Sequence, residues 1–217
     1  MKIIAPSIAI VTTVLLSVAV GRAGDLQEKF YINADAGGIF QQDATFVENG
    51  WSSTASFDPG ARIDLALGYN INDSLAVELE SGVMWDSVNT IDGFALGRFG
   101  KSIDLYSIPV LAKLIYRFPT ENDWTPYVGV GVGGNIGMFD GKLPSGSYSD
   151  TDVTLAFQAE AGVRYALSQH SSIGVAYKFL GTTDQDYNLG DRSFMTDHIS
   201  FQEVYIHGIF VNFTLNF

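Results

Sequence analysis

The side chains that could carry acid–base or nucleophilic chemistry are histidine, serine and paired carboxylates, because the 217 residues include no cysteine. That absence also excludes a disulfide framework, a thiolate metal site and a lipidated N-terminal cysteine. The three histidines are scattered. His170 falls in a short polar turn, where a solvated ring is expected, and His207 falls on the apolar parity of the last alternating segment. Asp197-His198-Ile199-Ser200 places an acid, an imidazole and a hydroxyl within four residues. His198 and Ser200 share the polar parity of that segment if it extends so far. Gly129-Val130-Gly131-Val132-Gly133-Gly134 has the glycine density of a phosphate loop. No strand-to-helix step comes after it, so close packing explains it better. Acids gather in four polar stretches, as Asp43, Glu48, Asp92, Asp140, Asp150, Asp152, Asp184, Asp186, Asp191 and Asp197. They lack the twelve-residue ligand spacing of a calcium loop. No catalytic residue, metal ligand or cofactor site is assigned.

The remaining charges lie in segments that alternate with period two. Eight such segments are predicted: Phe30–Phe40, Phe57–Ile71, Ser74–Trp85, Ile103–Phe118, Thr125–Phe139, Val153–Leu167, Ser171–Gly181 and Phe201–Phe217. Their connections alternate in length. Asn72-Asp73, 119–123 and 168–170 are short, whereas 41–56, 86–102, 140–152 and 182–200 are long and rich in Gly, Ser, Asp and Asn. An even number of antiparallel strands with short turns on one rim and long loops on the other predicts an all-β fold. The expected architecture is an eight-stranded antiparallel transmembrane up-and-down β-barrel, in which closure removes every edge.

One parity is apolar, as in Ile63-Leu65-Leu67-Tyr69, Leu75-Val77-Leu79 and Ile209-Val211-Phe213-Leu215-Phe217. The other carries Asp35, Arg62, Asp64, Glu78, Glu80, Lys113, Arg117, Gln158, Glu160, Arg164, Lys178 and Asn212, separated by Gly and Ala. A soluble lipocalin-like barrel would have the same period with the apolar face inward. Three features favour the opposite sense. The polar face is too rich in small residues for a solvated exterior and suits a narrow lumen. Aromatics gather at both strand ends, as bilayer interfaces select. The chain ends on Phe217, closing an apolar-alternating strand.

Charged residues make up 17% of the chain, against about 25% in soluble domains. The net charge is −12, from 12 Lys and Arg against 24 Asp and Glu. Removing Lys2 and Arg22 with a leader would make it −14, so phosphate-backbone binding to nucleic acid is excluded. Lys2, the apolar run after it and the small residues of Gly21-Arg22-Ala23 predict a cleavable signal peptide over 1–23 and a barrel domain over 24–217. An uncleaved membrane helix is the competing reading. Pro6 and Thr12-Thr13 weaken it.

The segments FYINADAGGIF, SIPVLAKLIYRF, TPYVGVGVGG, FQAEAGVRYAL, VAYKFLG and IFVNFTLNF resemble, in order and spacing, small outer-membrane barrels of the OmpA-barrel, OmpX, OmpW and opacity-protein kind. The resemblance covers nearly all of Phe30 to Phe217. It implies outer-membrane lipid and lipopolysaccharide as surroundings, and the loop acids themselves read as a solvated rim that repels lipopolysaccharide. It also implies the barrel-assembly machinery as a partner, with Phe213, Leu215 and Phe217 as the insertion signal, and a possible host or surface ligand at the loops. Peptidoglycan binding is not expected, since no periplasmic domain follows Phe217. A non-enzymatic envelope or adhesin-like role is expected, with a narrow channel for ions or small hydrophobic solutes, as in OmpW, as the alternative. The Asp197–Ser200 stretch resembles the His-x-Ser element of a lipid A deacylase barrel. Phe201-Gln202-Glu203 stands where that enzyme has Asn and small residues, and such a pair must face lipid. A lipid A-modifying enzyme is thus a minor alternative. His207 is explained as a polar tip at headgroup level. In the lumen, a three-residue turn at 168–170 sets Glu160 opposite Lys178, and Glu78 and Glu80 are expected near Lys113 and Arg117.

Overall fold

A computed structural model describes residues 29–48, 51–91, 94–95, 102–143, 146–188, 198–201 and 203–217. The predicted leader lies outside these residues, as do Asp92, Asp191 and Asp197. Thirteen strands occur in order: β1 (Phe30–Gln41), β2 (Ala44–Glu48), β3 (Trp51–Phe57), β4 (Gly60–Asn70), β5 (Leu75–Ile91), β6 (Phe94–Ala95), β7 (Ser102–Arg117), β8 (Trp124–Leu143), β9 (Gly146–Ala166), β10 (Ser171–Thr182), β11 (Gln185–Asn188), β12 (His198–Phe201) and β13 (Val204–Asn216).

Eight of these strands, β1, β4, β5, β7, β8, β9, β10 and β13, pair antiparallel with their neighbours in chain order. The ring closes where β13 pairs with β1, from Tyr31 opposite Asn216 to Gln41 opposite Ile206. Every barrel strand therefore has two partners, and the backbone donors and acceptors at membrane depth are satisfied within the protein.

The short turns are built by side-chain acceptors. Asn72 Oδ1 accepts from the backbone N–H of Ser74 (2.9 Å) and Leu75 (2.8 Å). Asn122 Oδ1 accepts from Trp124 N–H (2.9 Å), and Ser168 Oγ from Ser171 N–H (3.1 Å). Short polar side chains mimic a backbone turn in this way. The last turn sets the β9–β10 register, with Ala166 opposite Ser172 and Glu160 opposite Lys178.

The barrel runs further at the long-connection end than the alternating pattern indicates. β5 continues past Trp85 to Ile91, and β8 and β9 remain paired up to Leu143 opposite Gly146. The connections 41–56 and 182–200 also contain strands. β3 pairs with the outer part of β5, β2 with β3, β12 with β2, and β11 with β12, which extends a sheet above the barrel. Phe57 and Phe201, expected to begin barrel strands, belong instead to β3 and β12. Asp58-Pro59 separates β3 from β4, and Pro59 has no N–H to give a ladder. A bilayer needs only about 9–11 residues per strand, so the excess length stands clear of the hydrocarbon, where polar side chains are tolerated on both faces.

The two parities separate as inside and outside. On the apolar face Leu155 is 72% exposed and Val132 67%, whereas Glu80 on the polar face is completely buried. A soluble lipocalin-like barrel would require the reverse. The exposed face is closed off by rings at both ends. Phe30 meets Tyr69, Tyr116 meets Phe118 and Trp124 meets Tyr165 by the short turns. Phe157, Phe179, Tyr205 and His207 meet toward the other rim. Val211 lies midway between these belts, opposite Ala36 and Val175. A charge there is buried in hydrocarbon, so Val211→Arg is expected to cost about 2–4 kcal/mol of folding free energy in phospholipid bilayers. Urea titration in liposomes measures this, and a change near zero would remove that position from the lipid face.

Candidate functional site

The inward-facing side chains form layers. Near the short turns lies an apolar floor of Tyr31, Ile115 and Tyr127, with Ala76 and Ala176. Toward the long connections Ile39, Met84, Leu111, Leu180, Ile206 and Phe210 belong to a larger apolar cluster. The charges are packed between these layers and at the floor's rim.

Glu80 is the hub. Its Oε1 accepts from Arg62 Nη2 (2.9 Å) and Gln158 Nε2 (2.9 Å), and its Oε2 from Lys113 Nζ (2.6 Å) and Lys178 Nζ (2.9 Å). Arg62 also donates to Asp64 Oδ1 (2.7 Å) and Gln158 Oε1 (3.0 Å). Lys178 reaches Asp35 Oδ2 (3.1 Å) and Asp64 Oδ2 (2.9 Å), while Lys113 reaches Glu78 Oε2 (2.8 Å) and Glu160 Oε2 (3.1 Å). Arg164 lies 3.7 Å from Glu78, and Tyr31 OH donates to Glu78 Oε1 (2.7 Å). Aromatic faces cover what the carboxylates leave open. The Phe210 ring lies 4.9 Å from Lys178 Nζ and 5.8 Å from the Arg62 guanidinium, and the Tyr127 ring lies 4.4 Å from that of Arg164. Cations are attracted to such faces, more so where water is excluded.

Below the upper cluster, five carboxylates (Asp35, Asp64, Glu78, Glu80, Glu160) balance five cations (Arg62, Lys113, Arg117, Arg164, Lys178) among the described residues. The lumen at this level is neutral. Asp35, Asp64 and Glu80 offer oxygens within 4.8 Å of one another, a spacing that could hold a metal ion. The Lys178 ammonium, bonded to all three, takes that place.

Two expected pairings need correction. Glu160 and Lys178 are directly opposite, as the turn requires, but Lys178 is not bonded to Glu160. A lysine stem spans this narrow lumen, so its ammonium crosses to β1, β4 and β5, where three carboxylates converge. Glu160 receives Lys113 from β7 instead. Arg117 does not join Glu78 or Glu80. It sits one layer nearer the short turns, donates to Asn70 Oδ1 and lies 5.4 Å from the Tyr31 ring.

Glycines leave room for these side chains. A Cβ at Gly131 would stand 2.7 Å from Lys113 Cγ, and one at Gly129 2.8 Å from Glu160 Cγ. The phosphate-loop likeness of 129–134 is therefore a packing feature of the lumen. Tyr31, Tyr127 and Phe210 belong to the network beyond the polar-face residues singled out in the sequence. Their inward parity was legible, and aromatics on a polar parity were the available signal.

The other candidates lie elsewhere. His198 and Ser200 are in β12 of the outer sheet, opposite Asn188 and Val47, and not on a barrel strand. His207 faces outward, with Nδ1 bonded to Tyr177 OH and Nε2 2.7 Å from Gln42 Nε2. His170 is exposed in its turn. Phe213, Leu215 and Phe217 point outward along the closing strand, and Phe217 N–H donates to Phe30 O (2.9 Å).

The model of the outer membrane protein beta-barrel domain matches residues 8–217. The chain belongs to this outer-membrane barrel family. Solved structures of the same fold include the outer membrane protein OprG from Pseudomonas aeruginosa, at TM-score 0.61 and 17% identity, covering 89% of this chain and 99% of that one. A major outer membrane protein from Thermus thermophilus has TM-score 0.56 and 11% identity over 87% and 99% of the two chains. The outer membrane protein AlkL, solved in DMPC bilayers, has TM-score 0.53 and 18% identity over 91% and 95%. No curated protein matches in sequence. At these identities the likeness is one of fold, so the particular character of this family member rests on its own lumen and rim.

Removing one partner from a buried ion network strands the others, typically at about 3–5 kcal/mol. Lys178→Met is expected to destabilise the barrel by about that amount. In double-mutant cycles by urea unfolding it should couple more strongly to Glu80→Gln than to Glu160→Gln. Equal couplings would place the ammonium on the wrong carboxylate.

Proposed function

We propose that this outer-membrane barrel is a non-conducting, non-enzymatic anchor that presents its four long connections at the cell surface, for envelope or adhesin-like contacts. The filled lumen carries this reading. A neutral network and an apolar cluster occupy the interior, and an eight-stranded barrel has only enough width for side chains. A water-filled path would have to separate Glu80 from three cations at once. The surface role is supported by the paired strands above the barrel, which give the connections a built framework for a ligand. A non-enzymatic reading is supported by His207, whose ring meets Tyr177 OH and Gln42 but no carboxylate among the described residues, and by His170, which is exposed in its turn. Lipopolysaccharide surrounds the rim in this reading, and the 1–23 leader is removed on export.

Planar-bilayer recording tests the plug. Purified protein is expected to give no stable unitary steps at moderate voltage. Reproducible steps, abolished by heat denaturation, would favour the narrow channel for ions or small hydrophobic solutes.

The outward row Phe213, Leu215 and Phe217 is proposed as the signal read by the barrel-assembly machinery. The final ring lies at the short-turn interface, beside the β1–β13 pair that closes the ring of strands. Deleting Phe217 is expected to lower outer-membrane yield several-fold and leave protein in the periplasm, because a mature barrel loses little packing with it. Wild-type yield with heat-modifiable gel mobility would count against the assignment.

A further inference from the structure

The lumen charge is balanced only below the upper apolar cluster. Within that cluster, between Met84 and Val88, Asp86 on β5 turns inward as a sixth carboxylate, and no salt bridge among the described residues pairs it with a cation. It lines a small cavity of about 20 Å³ together with Gln41, Ser107, Asn135 and Thr182, over an apolar base that includes Met84 and Ile206. That volume accommodates one water-sized species.

Asn135 gives the second, independent observation. Its side chain is completely buried, yet neither its carboxamide oxygen nor its nitrogen has a hydrogen-bond partner. Thr154, directly opposite it on β9, has an unpartnered buried hydroxyl as well. Buried polar groups are nearly always satisfied, and an orphan of this kind points to an unseen water or ion. Other lumen atoms without a partner, such as Asp35 Oδ1 and Asn212 Oδ1, belong to side chains whose other polar atom is bonded, whereas neither polar atom of Asn135 is satisfied.

The geometry points to a site for a single small monovalent cation, held by the Asp86 carboxylate and the Asn135 carboxamide oxygen with hydroxyl help from Ser107. A bare water would satisfy Asn135 but leave the part-buried Asp86 carboxylate against an apolar base with no counter-charge, a cost that either a proton or a bound cation removes. One carboxylate with neutral oxygens matches one positive charge. Calcium takes six to eight oxygens, commonly with several carboxylates, and this cavity supplies a single one. Sodium and potassium are the ions of suitable charge, and the acidic connections above the mouth raise their local concentration.

The site binds only the folded barrel, so the cation stabilises it by mass action. Refolded full barrel in a neutral detergent is heated in choline chloride, sodium chloride, potassium chloride or calcium chloride at matched ionic strength. The unfolding midpoint is expected to rise by roughly 3–8 °C on replacing choline by sodium or potassium. Asp86→Asn should abolish that difference, Asn135→Leu should reduce it, and Asp43→Asn on the exposed rim should preserve it. Equal midpoints in choline and sodium would leave only a water in the cavity and overturn the proposal. So would an unchanged rise in Asp86→Asn, or a rise with calcium alone. Should Asp86→Asn fail to refold, sodium NMR line broadening by the wild-type barrel decides. Broadening reversed by potassium supports the site, and its absence overturns it.

Discussion

The constraint on which the rest depends is the satisfaction of Glu80. A carboxylate with no exposure, inside a protein whose outside is lipid, needs donors from every direction. It has Arg62 from β4, Lys113 from β7, Lys178 from β10 and Gln158 from β9. These donors come from four strands, so Glu80 ties together most of the barrel wall. Each cation is then shared with a second carboxylate, and the network propagates to Asp35, Asp64, Glu78 and Glu160. Loss of one member exposes its neighbours to an unmet desolvation cost, which is why such a network is rigid.

This interior reverses the usual order of a globular core. Apolar burial still contributes, through the two clusters and the rings that lie over Lys178, Arg62 and Arg164. The large apolar surface lies outside, however, where lipid replaces it. With both faces committed, the backbone can only be satisfied by closure. The β1–β13 pairing is therefore as much a requirement as the charge network. Glycines at 129 and 131 connect the two demands, because any Cβ there would occupy the space of Glu160 or Lys113.

For function, the consequence is a division of labour along the axis. The middle of the barrel is filled and neutral, the short-turn end is closed by aromatics, and the long-connection end offers the unpartnered Asn135 and Thr154 side chains and new sheet. The surface role proposed for the connections and the cation site proposed below them both fall at this end. They rest on different residues and can fail separately.

Period two, the alternating connection lengths and the small residues of the polar parity were enough to specify eight strands, their order, their facing and the turn that sets Glu160 opposite Lys178. These are local properties, set by pleat geometry and by side chains such as Asn72 and Ser168 that bond within their own turn. The partners inside the lumen were not local. Which carboxylate receives Lys178 depends on the diameter of the closed barrel and the reach of a lysine stem across it. Strand register along one hairpin contains neither quantity. The same holds for the extra strands above the membrane, since β12 finds β2 across about 150 residues of chain. It holds equally for Asn135 and Asp86, which are unremarkable in sequence. Only closure brings them to one cavity, because two residues on strands distant in the sequence share an environment only once the ring between them is complete.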